Sequence, residues 1–284
     1  MGVFLATFSA LVFGCADFLG GKATRNSSSA AITFASQRAG LLVLAVGLAL
    51  NPGSGPSLRT VGWGAIGGLF GGFGILLLYY GLSTGSMSIV SPVSAVTSAA
   101  MPVIVGVAFL DERPLRNAGI GIVCALLAIV LVSSSSGGAK RGSSPLLRTV
   151  AIAVGSGLGF GMFFVFLQRA GDPKTVGLWG LVAARPASIV LAALVAKSNG
   201  QPLKLDAKTR RLAVSAGTLD QTANVLYVLS VGKGLLSLLA LLASLYPVST
   251  VALAYLVDHE RVNRPQKIGL LLAFLGTVLI ATST

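Results

Sequence analysis

Ten apolar runs of about twenty residues, separated by short polar breaks, constrain this chain more than any single residue does. A hydrocarbon layer about 30 Å thick offers the backbone no water, so a segment inside it must satisfy its own N–H and C=O groups. An α-helix does so within about 20 residues. The runs fall near 3–21, 31–50, 61–82, 87–110 and 117–134, then near 149–168, 175–196, 211–231, 234–257 and 266–283. The breaks, among them NPGSGPS, LDERPLRN, SSSSGGAKRGSSP and KSNGQPLKLDAKTRR, are rich in turn formers or charge. Composition agrees: 54% of the residues are hydrophobic and 10% charged, where a soluble domain carries about a quarter. The expected fold is an all-α polytopic membrane protein with ten transmembrane helices, multi-pass in the cell membrane.

The formal net charge of +13 does not point to nucleic acid, because the positive residues sit in short loops between apolar runs with no aromatic interleaving. Thirteen Lys and Arg fall in the loops after the first, fifth, seventh and ninth runs, and six in the remaining loops. The positive-inside rule then places both termini outside. Cys15 and Cys124 lie within apolar runs and read as buried thiols rather than as a disulfide or metal site. The first run has no charged leader and no cleavage site, so it reads as a retained span rather than a signal peptide.

Sliding the chain on itself by 147 residues superimposes Ser9 on Ser156, Phe13 on Phe160, Gly14 on Gly161, Arg38 on Arg185, Tyr80 on Tyr227 and Ser83 on Ser230. With one residue inserted, Glu112-Arg113 meets Glu260-Arg261. The repeat divides the chain into a first five-helix unit at 1–136, a linker at 137–148 and a second unit at 149–284. Five is odd, so the second unit enters the membrane from the opposite side. Two inverted five-helix repeats are a common build of secondary transporters, with the substrate held near the midplane between them.

These residues resemble the drug/metabolite transporter superfamily, specifically its EamA-type ten-helix carriers. The resemblance spans essentially the whole chain. It rests on FGCADFLGGKATR in the first run, on Arg38 and Arg185, and on AGTLDQTANVLYVLSVGKG in the eighth run. It rests also on SLYPVSTVALAYLVDHERV and on the two segments that close the halves, FLDERPLRNAGIGIVCALLAIVLVS and QKIGLLLAFLGTVLIATS. One departure is that Pro247 has Ala99 at its first-half equivalent, with a proline nearby at Pro102. The resemblance implies transport of a small molecule, often export of amino acids or other metabolites, and both termini in the cytoplasm. By either orientation the termini share a side.

Charge inside a span marks the candidate site. A central arginine costs at least ~2.5–3.5 kcal/mol, so Arg38 and Arg185 must face a partner, water or the bundle interior. The bland alternative is snorkelling or a structural bond to a carbonyl. A pair of guanidinium groups lining a cavity would grip an anionic group such as a carboxylate, with Gln37 beside the first of them. Asp17 and Asp220 are the acids inside helices. Asp220 is a candidate proton acceptor, and Asn224 and Tyr227 continue its helix face. Ser88, Ser91, Ser94 and Ser98 share one side of the fourth run, either lining the pathway or permitting close packing. Tyr80 offers a hydroxyl or a stacking face, whereas Tyr79 points elsewhere and reads as packing or interfacial. The candidate substrate-binding residues are thus Arg38, Arg185, Asp220, Asn224, Tyr227, Tyr80, Gln37, Asp17, Ser91 and Ser94.

The sequence-based expectation is a secondary transporter moving a small polar or amphipathic metabolite by alternating access, with export favoured. Protons or another ion are the candidate coupling partners, and the expected unit is a monomer or homodimer without cofactor or metal. An intramembrane enzyme is the rival, but His-Glu-x-x-His and Gly-x-Ser-Gly are both missing. A non-transporting scaffold is the third reading. It gives no reason for arginine and aspartate at mid-depth.

Overall fold

A computed structural model describes residues 2–50, 52–53, 55–109, 116–133, 146–171, 178–231, 246–259 and 262–281. Those residues form helices and no strands: α1 (Gly2–Thr24), α2 (Ser29–Leu50), α3 (Leu58–Thr84), α4 (Met87–Phe109) and α5 (Arg116–Ser133). The second half supplies α6 (Leu146–Ala170), α7 (Trp179–Ser198), α8 (Ala207–Val231), α9 (Tyr246–Val257) and α10 (Arg264–Ala281). Among the described residues, α1, α2, α3, α6 and α7 are long and apolar enough to cross a membrane by themselves. Helix α8 has the length but carries Arg210, Arg211, Asp220, Gln221 and Asn224, which lower its hydropathy. The start of the expected ninth span, both Glu-Arg turns and most of the expected linker lie outside the described residues.

The packing repeats under an exchange of halves. Helix α3 packs on α6 and α7, α8 packs on α1 and α2, α4 packs on α6, and α9 packs on α1. Exchanging α1 with α6, α2 with α7, and so on turns each of these contacts into another of the same set. The pairs α2–α7, α4–α9 and α5–α10 map onto themselves. This is the pseudo-two-fold arrangement of an inverted repeat. Several contacts break it: α1 also packs on α3 and α4 on α10, whereas α6 with α8 and α9 with α5 show no comparable contact among the described residues.

Helix pairs in lipid gain little from apolar burial against each other, so close backbone approach and interhelical hydrogen bonds hold them. The repeated serines serve this purpose. The Ser9 hydroxyl donates to the Ala223 carbonyl at 2.8 Å, and the Ser156 hydroxyl donates to the Gly74 carbonyl at 2.9 Å. Each of these fully buried side chains ties its half to the other. Close approach depends on glycine: a Cβ at Gly68 would strike the Ala184 carbonyl on α7, and one at Gly217 would strike Ser36 on α2. The outward stripes, including Leu42, Val46 and Leu50 on α2, stay exposed as a lipid-facing surface requires.

Two ends are fastened by charge. Asp206 caps α8, accepting from the backbone N–H groups of Lys208 at 3.0 Å and Thr209 at 3.1 Å. At the ends of α1 and α9, Asp258 takes Lys22 at 3.4 Å and Arg25 at 2.6 Å, the latter as a charge contact rather than an aligned hydrogen bond.

Gly68→Ala should destabilise the protein by about 1–3 kcal/mol through overpacking, whereas Gly62→Ala, with open space around its Cβ, should be neutral or slightly stabilising. Thermal unfolding of the two variants in one detergent checks this contrast. Thr209, by side chain and then backbone, followed by the Lys208 N–H, holds the Asp206 carboxyl below its usual value. The cap therefore contributes fully above the ordinary aspartate range and is lost as pH falls through the lowered value. Asp206→Asn should flatten that part of the stability–pH curve on the acid side.

Candidate functional site

A charged cluster lies where α8 of the second half packs on α1 and α2 of the first, with α7 and α3 beside it. Arg185 projects from the middle of α7 and is 7% exposed. One guanidinium nitrogen, Nη2, lies 3.2 Å from Asp220 Oδ2 on α8, and the other, Nη1, donates to Gln37 Oε1 on α2. Three helices are joined through one side chain. The planar fork of arginine suits this, because it aims two donors at two acceptors at once. Asn224 turns its amide back to donate to the Asp220 carbonyl at 2.8 Å, so it supports the α8 wall rather than bonding the guanidinium.

Asp17, on α1, stands near Asp220 of α8. It is 8% exposed, and its Oδ2 is buried with no hydrogen-bond partner. Asp220 stands close enough to repel it electrostatically. On α1, Phe13 lies one turn before Asp17 and Gly20 one turn after, on the same face. Phe13 meets the Tyr246 ring of α9 with centroids 6.2 Å apart. Gly20 lets the Tyr79 ring of α3 lie against α1, where any Cβ would collide with it. Tyr79 is 1% exposed, shares a side-chain hydrogen bond with Ser36, and senses the charges of Asp17, Asp220 and Arg185. Tyr246 shares one with Ser94 and senses Asp17.

The structure thus brings together Arg185, Gln37, Asp220, Asp17 and, through Tyr246, Ser94. It does not bring Arg38 there. Arg38 lies on the exposed stripe of α2, with its guanidinium 5.2 Å from the Phe34 ring. The cause is visible at the repeat partners. Shifted by 147 residues, Asp220 falls on Phe73, so α3 offers Arg38 no acid where α8 offers one to Arg185. Asp17 likewise falls on Phe164. The expected two-arginine grip on an anion is replaced by a single arginine already held by an acid.

Tyr80 also lies elsewhere. Its hydroxyl accepts from Arg148 Nη2 at 2.8 Å near the end of α3. Its neighbour Tyr79, assigned to packing from the sequence, takes the central place instead. The signal that identifies it is Gly20, which leaves room on α1 for its ring. Tyr227 is half-buried. The α4 serines are all buried, and they serve packing first: Ser94 meets Ser156 at 3.0 Å, and Gly157 rides on the α4 backbone. Ser91 Oγ is buried without a partner, as are both amide atoms of Gln221. No group of His, Cys, Asp and Glu suited to a metal occurs among the described residues.

The family model described as the EamA-like transporter family matches the sequence twice, over residues 1–134 and 147–282. Comparison with curated proteins found no match. A solved structure described as "Crystal structure of protein" is 17% identical, covers 98% of this chain and 95% of its own, and has a TM-score of 0.61. At that identity the likeness is one of fold.

Removing one partner of a buried ion pair leaves the other charge uncompensated, which costs about 3–5 kcal/mol. Arg185→Ala alone should therefore destabilise strongly, and adding Asp220→Asn should recover part of the loss. A double-mutant cycle of thermal unfolding in detergent measures the coupling.

Proposed function

This chain belongs to the EamA-like transporter family, a family of multi-pass membrane proteins that move small molecules, and from that premise we propose a secondary carrier working by alternating access. The cargo is a small polar or amphipathic metabolite, and the direction is export. The site is the cluster of Arg185, Asp220, Gln37 and Asp17.

The observation that carries this reading is the position of the charge. Asp17 belongs to the first half, Arg185 and Asp220 to the second, and they meet where the halves touch. Ionisable groups inside a membrane bundle are costly and are kept where a substrate or ion must be handled. Carriers built from inverted repeats bind substrate between the repeats, because rocking one half against the other then exposes the same site to either side. The glycine-bearing contacts of α3 with α7 and of α8 with α2 supply smooth surfaces for such a movement. A static scaffold would be more stable with apolar residues at these positions.

The test is flux. Purified chain in proteoliposomes should give saturable, protein-dependent movement of at least one class among radiolabelled amino acids, nucleosides and amines. Asp220→Asn should lower it by about tenfold or more, a loss of about 1.4 kcal/mol or more of transition-state stabilisation. Flux through none of these classes would remove the carrier reading, and flux indifferent to Asp220 would remove the assignment of the site to this cluster.

A further inference from the structure

The charges that face one another in the cluster do not balance. Facing Asp17, α8 contributes Asp220, which is already paired with Arg185 of α7. From α3 comes Tyr79 and from α9 Tyr246, both uncharged phenols. Helix α2 contributes Gln37 and no cation, since Arg38 turns outward onto Phe34. On α1 itself, Lys22 is held by Asp258 and lies 5.3 Å from the Phe18 ring. Two carboxyl groups therefore stand beside one guanidinium among the described residues, and Asp17 is the one without it. Its Oδ2 is the oxygen left without a partner.

We propose that Asp17 is the recognition point for a cationic nitrogen, so that the substrate is an organic ammonium compound, an amine or the amino end of a larger molecule, and not a simple carboxylate. This rests on the carrier reading above and deepens it. Three features fit a positive nitrogen. An ionised carboxylate with an unsatisfied oxygen is costly to bury, and an N–H donor that brings its own charge offsets that cost. The flanking groups are aromatic: the Phe13–Tyr246 pair lies one turn to one side and Tyr79 to the other. A ring face beside a carboxylate attracts an ammonium through its quadrupole and repels an anion. Ser91 on α4 and Gln221 on α8 hold further buried polar atoms without hydrogen-bond partners. An anion entering the cluster would meet Asp17 unopposed, because Arg185 is engaged twice.

Three probes of one shape separate the possibilities: 2-phenylethylammonium, 3-phenylpropionate and 2-phenylethanol. Added to the purified full chain in detergent, a ligand that binds the folded state raises the unfolding temperature by mass action. The ammonium should stabilise at concentrations about tenfold or more below those the alcohol needs, a factor that one charged contact readily supplies. The carboxylate should do nothing. Asp17→Asn should raise the half-saturating ammonium concentration by about tenfold or more, and Asp17→Glu should keep the order of preference. Should the Asn variant fail to fold, the Glu variant and the unaltered chain still decide the matter.

Several results overturn the proposal: stabilisation by the carboxylate, an ammonium effect indifferent to Asp17→Asn, or no ammonium effect at all. It also fails if lowering pH alone stabilises as much and ammonium then adds nothing, since a proton would then occupy the carboxyl. The carrier reading stands or falls separately. A chain that binds the ammonium but moves no solute loses only that reading, and one that moves the carboxylate loses only this proposal.

Discussion

The rest of the architecture is arranged around one ion pair kept away from water. A guanidinium buried within α7 is cut off from most of its hydration, so its energy depends on what the neighbouring helices present. Here they present Asp220 Oδ2 at 3.2 Å and the Gln37 amide oxygen. Both acceptors come from different helices, which fixes the rotation of α2, α7 and α8 about their own axes. Ser36, Gln37 and Gly40 then face inward while Arg38, Leu42 and Val46 face outward. Apolar packing alone would specify those rotations only loosely, since lipid is as good a neighbour as leucine.

The two halves share a plan and differ in chemistry. Ser9 and Ser156 each donate across to a carbonyl of the other half, and the contacts of α3 with α6 and α8 with α1 correspond. The charged positions do not. Aspartate 220 has Phe73 as its counterpart and Asp17 has Phe164. A pseudo-symmetric scaffold therefore encloses a one-sided cluster, in which one side supplies an ion pair and the other an acid whose Oδ2 has no hydrogen-bond partner. The extra contact of α1 with α3, through Gly20 and Tyr79, belongs to the same departure from symmetry.

The helices and their inverted repeat are legible in the sequence because their causes are local or periodic: runs long enough for lipid, and residues paired at a fixed offset. Part of the site is legible for a similar reason, since Arg185 and Asp220 are conspicuous wherever they stand in apolar surroundings. What the pattern cannot show is orientation. The repeat makes Arg38 and Arg185 look equivalent, and only the neighbour at residue 73 or 220 decides which turns inward. Tyr79 and Tyr80 differ by one step of about 100° on a helix. Which of them is central depends on a glycine some sixty residues earlier, on a helix that reaches α3 only once the bundle has formed.

The fastening of α1 to α9 differs in kind from those inner contacts. One carboxylate serves two cations there, and the cation side chains are 38% and 37% exposed against 13% for the acid. Separating those helix ends would leave three ions to complete their hydration, a modest cost where the two cations are already in water. Dissolved ions weaken such a fastening and leave the dry glycine crossings untouched. Of the two kinds of seam, only this one responds to the salt outside.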